Sequence, residues 1–114
     1  ANPNPVLKEF FDYYRMPRGF HARSVNSTGA WNATMPLSFM NMPLLSYASE
    51  VTIPTLIVTG EKAHSRYFAE DAFKASKEKE LVIVPGANHV DLYDNAAGKI
   101  PFARFEQFFK TNLR

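Results

Sequence analysis

Two short runs of β-prone residues constrain this chain more than any other feature. Thr55-Leu56-Ile57-Val58-Thr59 ends in Gly60, and Leu81-Val82-Ile83-Val84 ends in Pro85-Gly86. Neither run alternates apolar with polar residues, which is the pattern of strands covered on both faces, as in a parallel sheet. Between them, residues 66–79 predict a helix with Phe68, Ala72, Phe73 and Ala75 along one side. Strand, helix, strand is a βαβ unit, with a right-handed crossover. Pro101 then opens a last helix to about Asn112, whose apolar face is Phe102, Phe105, Phe108 and Phe109. The fold class is α/β, and residues 51–114 form a strand-helix-strand-helix part of it.

The first half reads differently. Residues 4–15 predict a helix: Asn4 caps it, Pro5 suits the first helical position, and Val6, Phe10, Phe11 and Tyr14 recur at helical spacing. Met16-Pro17-Arg18-Gly19 stops it. From 20 to 50 the chain mixes small polar residues with aromatics and Met, broken by Pro36 and Pro43, and is too apolar to be a solvated linker. Residues 1–50 are therefore expected to be an N-terminal helix and an irregular covering segment.

Composition removes several function classes. There is no cysteine among the 114 residues, so neither a disulfide framework nor a thiolate metal site is available. A net charge of +2 spread along the chain is no nucleic-acid footprint. No apolar run approaches the roughly 20 residues of a membrane-spanning helix, and Ala1-Asn2-Pro3-Asn4-Pro5 lacks the regions of a signal peptide. The expectation is a cytoplasmic protein with no membrane or nucleic-acid partner. Aromatic residues make up 14% of the chain, enough large apolar surface to ask what covers it.

Ligands of a parallel sheet gather beyond the carboxyl ends of its strands. Two loops leave such ends here, Gly60-Glu61-Lys62-Ala63-His64-Ser65 and Pro85-Gly86-Ala87-Asn88-His89-Val90-Asp91. If the strands are neighbours, Glu61 and His89 emerge on one edge, where a carboxylate can fix the tautomer of an imidazole and stabilise its protonated form. The bland reading is that both residues only solvate a loop. Ser65 is read as starting or capping the following helix rather than as a nucleophile. Asp71 is expected near the first turn of that helix and Asp91 as a solvated or capping residue. Lys77-Glu78-Lys79-Glu80 is read as a solvated helix end. His21 and His64 are read as solvated or hydrogen-bonded loop histidines, since no pair has ligand spacing such as His-x-x-x-His. Asn26-Ser27-Thr28 and Asn32-Ala33-Thr34 fit the short glycosylation sequon. Met35 to Met42 suits core packing better than an adaptable pocket.

From Glu9 onward the chain resembles the C-terminal part of an α/β-hydrolase of the dienelactone-hydrolase-like branch. The residues that carry the likeness are Ile53-Pro54-Thr55-Leu56-Ile57-Val58-Thr59-Gly60-Glu61, Val84-Pro85-Gly86-Ala87-Asn88-His89 and the closing Phe-rich helix. Tyr13-Tyr14-Arg15-Met16-Pro17-Arg18-Gly19 and the region from Trp31 to Leu45 are similar to the cap segment of one bacterial subgroup. The resemblance implies that His89 is the catalytic base. None of the five glycines opens a Gly-x-Ser-x-Gly elbow. Since the order in this fold is Ser, acid, His, the nucleophile is expected upstream of Ala1, in a longer enzyme or a second chain. Many relatives carry Asp where this chain has Ala63, which leaves Glu61 as the first choice of acid and a carboxylate from a preceding strand end as the other.

The implied activity is hydrolysis of an ester-like bond in a small carboxylic substrate, through a Ser outside this chain and with no cofactor or metal. Trp31, Phe39 and Met40 are the candidate apolar walls of the substrate pocket. Homo-oligomerisation stays open. The alternative is a non-catalytic module that keeps the fold for binding or assembly, which Ala63 favours and His89 opposes.

Overall fold

A computed structural model describes residues 4–24 and 33–113. These fall into two compact units divided between Pro43 and Leu44. In the first, helix α1 spans Pro5–Tyr14: the Asn4 side chain accepts from the Val6 N–H at 2.9 Å, and Pro5 opens the first turn. Past its end the chain folds back on Tyr13. The Gly19 N–H donates to the Tyr13 carbonyl at 3.0 Å, and the Arg18 guanidinium lies 5.2 Å from the centre of the Tyr13 ring. A side chain at Gly19 would begin 2.5 Å from that ring, which would have to shift to admit it. Helix α2 follows at Met35–Met40, a single short helix.

The second unit holds the sheet. Strands β1 (Thr55–Gly60) and β2 (Lys79–Val84) pair in parallel, in register from Thr55 opposite Lys79 to Gly60 opposite Val84. Helix α3 (Arg66–Ala75) crosses between them and packs on both, and helix α4 (Phe102–Asn112) closes the chain. Residues 44–50 belong to this unit rather than to the first, because the 3-10 turn Ala48–Glu50 packs against α3.

Three local expectations are corrected. The helix before β2 ends at Ala75, where Ser76 turns extended (ψ 159°) and its hydroxyl caps the Ala72 carbonyl at 2.9 Å. Lys79 and Glu80 are therefore strand residues, not a helix end. The charged start of β2 is tolerated because Lys79 lies 4.7 Å from the Phe73 ring centre and Glu80 pairs with Arg104 of α4. The apolar runs are half-buried along Thr55–Val58 and Leu81–Ile83 and buried only at Thr59, Gly60 and Val84, since two strands with α3 across them leave sheet surface uncovered. On α4, Phe108 is buried and Phe105 half-buried, while Phe102 and Phe109 face outward.

Apart from Phe108 on α4, the buried residues among those described cluster at one place. Thr59, Gly60, Ala63, Val84, Ala87 and Val90 all lie at or just beyond the carboxyl ends of the two strands. The best-packed part of the sheet unit is thus the floor beneath its two loops.

Candidate functional site

Because the strands are in register, equal steps past Gly60 and Val84 bring the two loops level. Ser65 lies five residues beyond Gly60 and His89 five beyond Val84, and the two meet. Ser65 Oγ stands 2.6 Å from His89 Nδ1 in a half-buried position. The His64 ring lies tilted with its centre 4.8 Å from that of His89, and Tyr93 meets His89 edge-on at 5.3 Å.

Both loops are tied to each other through the backbone. The Glu61 N–H donates to the Val84 carbonyl at 2.9 Å and the Lys62 N–H to the Ala87 carbonyl at 2.8 Å, extending the ladder past the strands. Gly60 makes this approach possible, since an added Cβ would sit 2.4 Å from the Ala87 carbonyl oxygen. Gly86 turns the second loop with φ +63°, a left-handed conformation that favours glycine. Its N–H donates to Glu61 Oε2 at 2.7 Å.

Side chains then clamp the histidine loop from the other direction. Asn88 and Asp91 bond reciprocally: the Asn88 N–H donates to Asp91 Oδ2 at 3.1 Å and the Asp91 N–H to Asn88 Oδ1 at 2.9 Å. This is the geometry of a capping box, built across the 3-10 turn Val90–Leu92 that starts after His89. Lys99 Nζ donates to Asp91 Oδ2 and to the Gly86 carbonyl, each at 2.8 Å. His89 is therefore presented by a loop whose backbone is held before and after it.

This arrangement has a defined chemical capacity. An imidazole held through Nδ1 can exchange protons at Nε2. Ser65 occupies the N-cap position of α3, yet its side chain makes no capping hydrogen bond. Leaving an N-cap unused forgoes about 1 kcal/mol of helix stabilisation, so its hydroxyl is committed to the imidazole at the expense of the helix.

The sequence-based candidates are placed as follows. His89 and Glu61 both stand at the shared edge, but the structure brings Ser65, not Glu61, onto Nδ1, while the Glu61 carboxylate meets the Gly86 N–H. Ser65 does start α3, as expected, but its side chain bonds the imidazole rather than capping the helix. Asp91 caps its loop as expected and also pairs with Lys99. Asp71 lies on the exposed side of α3 with Lys74 at 3.0 Å, and its hydrogen bond and charge hold the Lys74 ammonium above its ordinary pKa. His21 Nδ1 accepts from the Arg23 N–H at 3.1 Å, a hydrogen-bonded loop histidine. Phe39 and Met40 are exposed on α2 in the first unit. Trp31, Asn26-Ser27-Thr28 and Asn32 lie outside the described residues. Among the described residues no three His, Asp or Glu side chains converge as a metal-ligand set, and no helix is long and apolar enough to cross a membrane.

No protein-family model matches the chain. It is 56% identical over 109 residues to the uncharacterized protein PA2218 of Pseudomonas aeruginosa, a match covering 94% of this chain and 29% of that protein. It is 33% identical over 107 residues to the uncharacterized protein YcjY of Escherichia coli, covering 83% of this chain and 31% of that one. The crystal structure of the hypothetical protein PA2218 superposes with a TM-score of 0.88 at 53% identity, over 99% of this chain and 36% of that chain. The chain thus spans about a third of the length of the relatives it matches, and its α/β architecture of two parallel strands and flanking helices is that of the matching part of a larger protein.

Proposed function

We propose that this chain supplies the catalytic histidine of a serine-type α/β-hydrolase acting on ester-like bonds of small carboxylic substrates. The observation that carries the reading is the engaged Nδ1 of His89, in a clamped loop just past the carboxyl end of a parallel strand. The match to a third of longer relatives supports a nucleophile outside the chain.

In this reading His89 Nε2 takes the proton of a serine hydroxyl as its oxygen attacks the ester carbonyl carbon. The tetrahedral intermediate collapses, the ester C–O bond breaks, and the proton passes from Nε2 to the leaving alkoxide. Water then repeats the sequence on the acyl-enzyme, with His89 again as base, and the serine leaves protonated. Glu61 braces the loop at Gly86 rather than contacting the imidazole. Trp31, Phe39 and Met40 stay the proposed apolar walls.

Turnover of short-chain p-nitrophenyl esters by the protein expressed from its full reading frame tests this. His89→Ala is expected to lower kcat/KM roughly 10²–10⁴-fold, the usual contribution of a general base. Unchanged turnover in that variant, or no hydrolysis by the wild type, overturns the reading. A second reading, a non-catalytic binding module, draws support from Ala63, which is buried at 8% exposure where a carboxylate would be expected. It is distinguished by the same experiment.

A further inference from the structure

We infer that Ser65 is the positioning residue of His89, holding the imidazole through Nδ1 at the place a carboxylate takes in a Ser-His-Asp triad. The inference rests on the proposed role of His89 and adds the residue that orients it. In a Ser-His-Asp triad the orienting group sits on Nδ1 and the reacting group on Nε2; here the group on Nδ1 is a hydroxyl, 2.6 Å away.

Four observations make this contact a built feature. Ser65 and His89 are brought level by the strand register, on loops fastened by the Lys62 to Ala87 and Gly86 to Glu61 hydrogen bonds. The floor below them is the most buried part of the unit, with Ala87 at 0% and Val90 at 2% exposure. Ser65 gives up the capping bond that its position at the start of α3 offers. The residue in the place where an acid is expected, Ala63, is buried and carries no polar group.

The chemistry of a hydroxyl differs from that of a carboxylate in one testable way. Ser Oγ can accept from Nδ1–H, which fixes the tautomer that leaves Nε2 as the base, but it brings no charge to stabilise the imidazolium. The groups facing His89 include the His64 ring, the Tyr93 ring and Ser65, with Asp91 two residues along and held by Lys99 and the Asn88 N–H. A carboxylate placed at position 65 would bring a negative charge to Nδ1.

The experiment uses the protein from its full reading frame, p-nitrophenyl esters, and pH profiles between about pH 5 and 9, the range in which an imidazole titrates. Ser65→Ala is expected to lower kcat roughly tenfold to a hundredfold, with KM changed by less than about twofold, because it removes orientation rather than substrate binding. Ser65→Thr, which keeps the hydroxyl, restores kcat. Ser65→Asp moves the acid limb of the profile to higher pH, since its carboxylate favours the protonated imidazole. A kcat and acid limb unmoved in both Ser65→Ala and Ser65→Asp, with His89→Ala inactive, overturns the positioning role and leaves the hydrolase reading intact. Full activity in His89→Ala overturns both. Labelling of Ser65 itself by a fluorophosphonate makes it the nucleophile and overturns the positioning role. If Ser65→Ala fails to fold by circular dichroism, the Thr rescue and the Asp shift decide.

Discussion

Glu61 Oε2 accepts a hydrogen bond from the Gly86 N–H at 2.7 Å, joining the first residue after β1 to the turn that begins the histidine loop. The contact reaches across twenty-five residues of chain and fixes the loop three residues before His89. A carboxylate so placed acts on the backbone, and its effect on His89 passes through the loop.

Substitution of Glu61 separates a brace from a triad acid. Glu61→Gln keeps an acceptor oxygen for the Gly86 N–H, so turnover is expected to stay within about tenfold of wild type. Loss of a true triad carboxylate costs roughly 10⁴-fold in kcat. Glu61→Ala removes the acceptor and is expected to cost about 1 kcal/mol in urea unfolding, less than the usual contribution of a charged acceptor because the side chain is exposed.

Gly60 stands where the two loops leave no room for a side chain, and its substitution should be severe. A Cβ there would meet the Ala87 carbonyl oxygen at 2.4 Å and the Asn88 carbonyl oxygen at 2.9 Å, both backbone atoms that cannot rotate away. Gly60→Ala must push the histidine loop off β1 and break the Lys62 to Ala87 hydrogen bond. The expected loss is about 2–3 kcal/mol by chemical denaturation, the upper range for overpacking a core, with ester turnover lost alongside. Gly98, with open space at its Cβ and φ +64°, has no such backbone neighbour, and Gly98→Ala meets only the strain of its own conformation.

What was legible in the sequence follows the range of the forces involved. The strand ends at Gly60 and Val84, the N-cap of α1 and the turn at Pro85-Gly86 are set by neighbours a few residues apart, and composition and periodicity report those. The end of α3 at Ala75 was missed because a charged stretch suits a solvated helix as well as a strand start, and the Glu80 partner, Arg104, lies on α4. Ser65 was missed as a site residue because a serine before a helix ordinarily caps it. The signal that would have found it is the equal offset of Ser65 and His89 from Gly60 and Val84, which has meaning only once the strands are known to pair in register. Trp31 lies outside the described residues, and its place in a pocket was a judgement from residue type alone.

The clamp behind His89 turns on Lys99 and Asp91. The Asp91 side chain is only 13% exposed and that of Lys99 33%, so the pair is screened far less than the surface pairs Lys8–Asp12, Lys74–Asp71 and Lys110–Glu106. Lys99→Met removes both the ion pair and the bond to the Gly86 carbonyl, and leaves a shielded carboxylate with the Asn88 N–H alone among these contacts. About 1–2 kcal/mol of stability should be lost. A double-mutant cycle with Asp91→Asn is expected to give a coupling above about 0.5 kcal/mol, against less for Lys8–Asp12.

Phe108 and Phe109 are neighbours of identical type, and the backbone alone separates their fates. Phe108 is 7% exposed and Phe109 53%, so one side chain is enclosed by the unit and the other is not. Phe108→Ala is expected to cost about 3 kcal/mol, since it removes a buried ring and leaves a cavity. Phe109→Ala, which also raises helix propensity, should change stability by less than about 1 kcal/mol in this unit. The comparison is best made in parallel with the protein from its full reading frame. There a cost at Phe109 approaching that at Phe108 would mean that this ring is covered by residues beyond the 114, which would account for part of the aromatic excess.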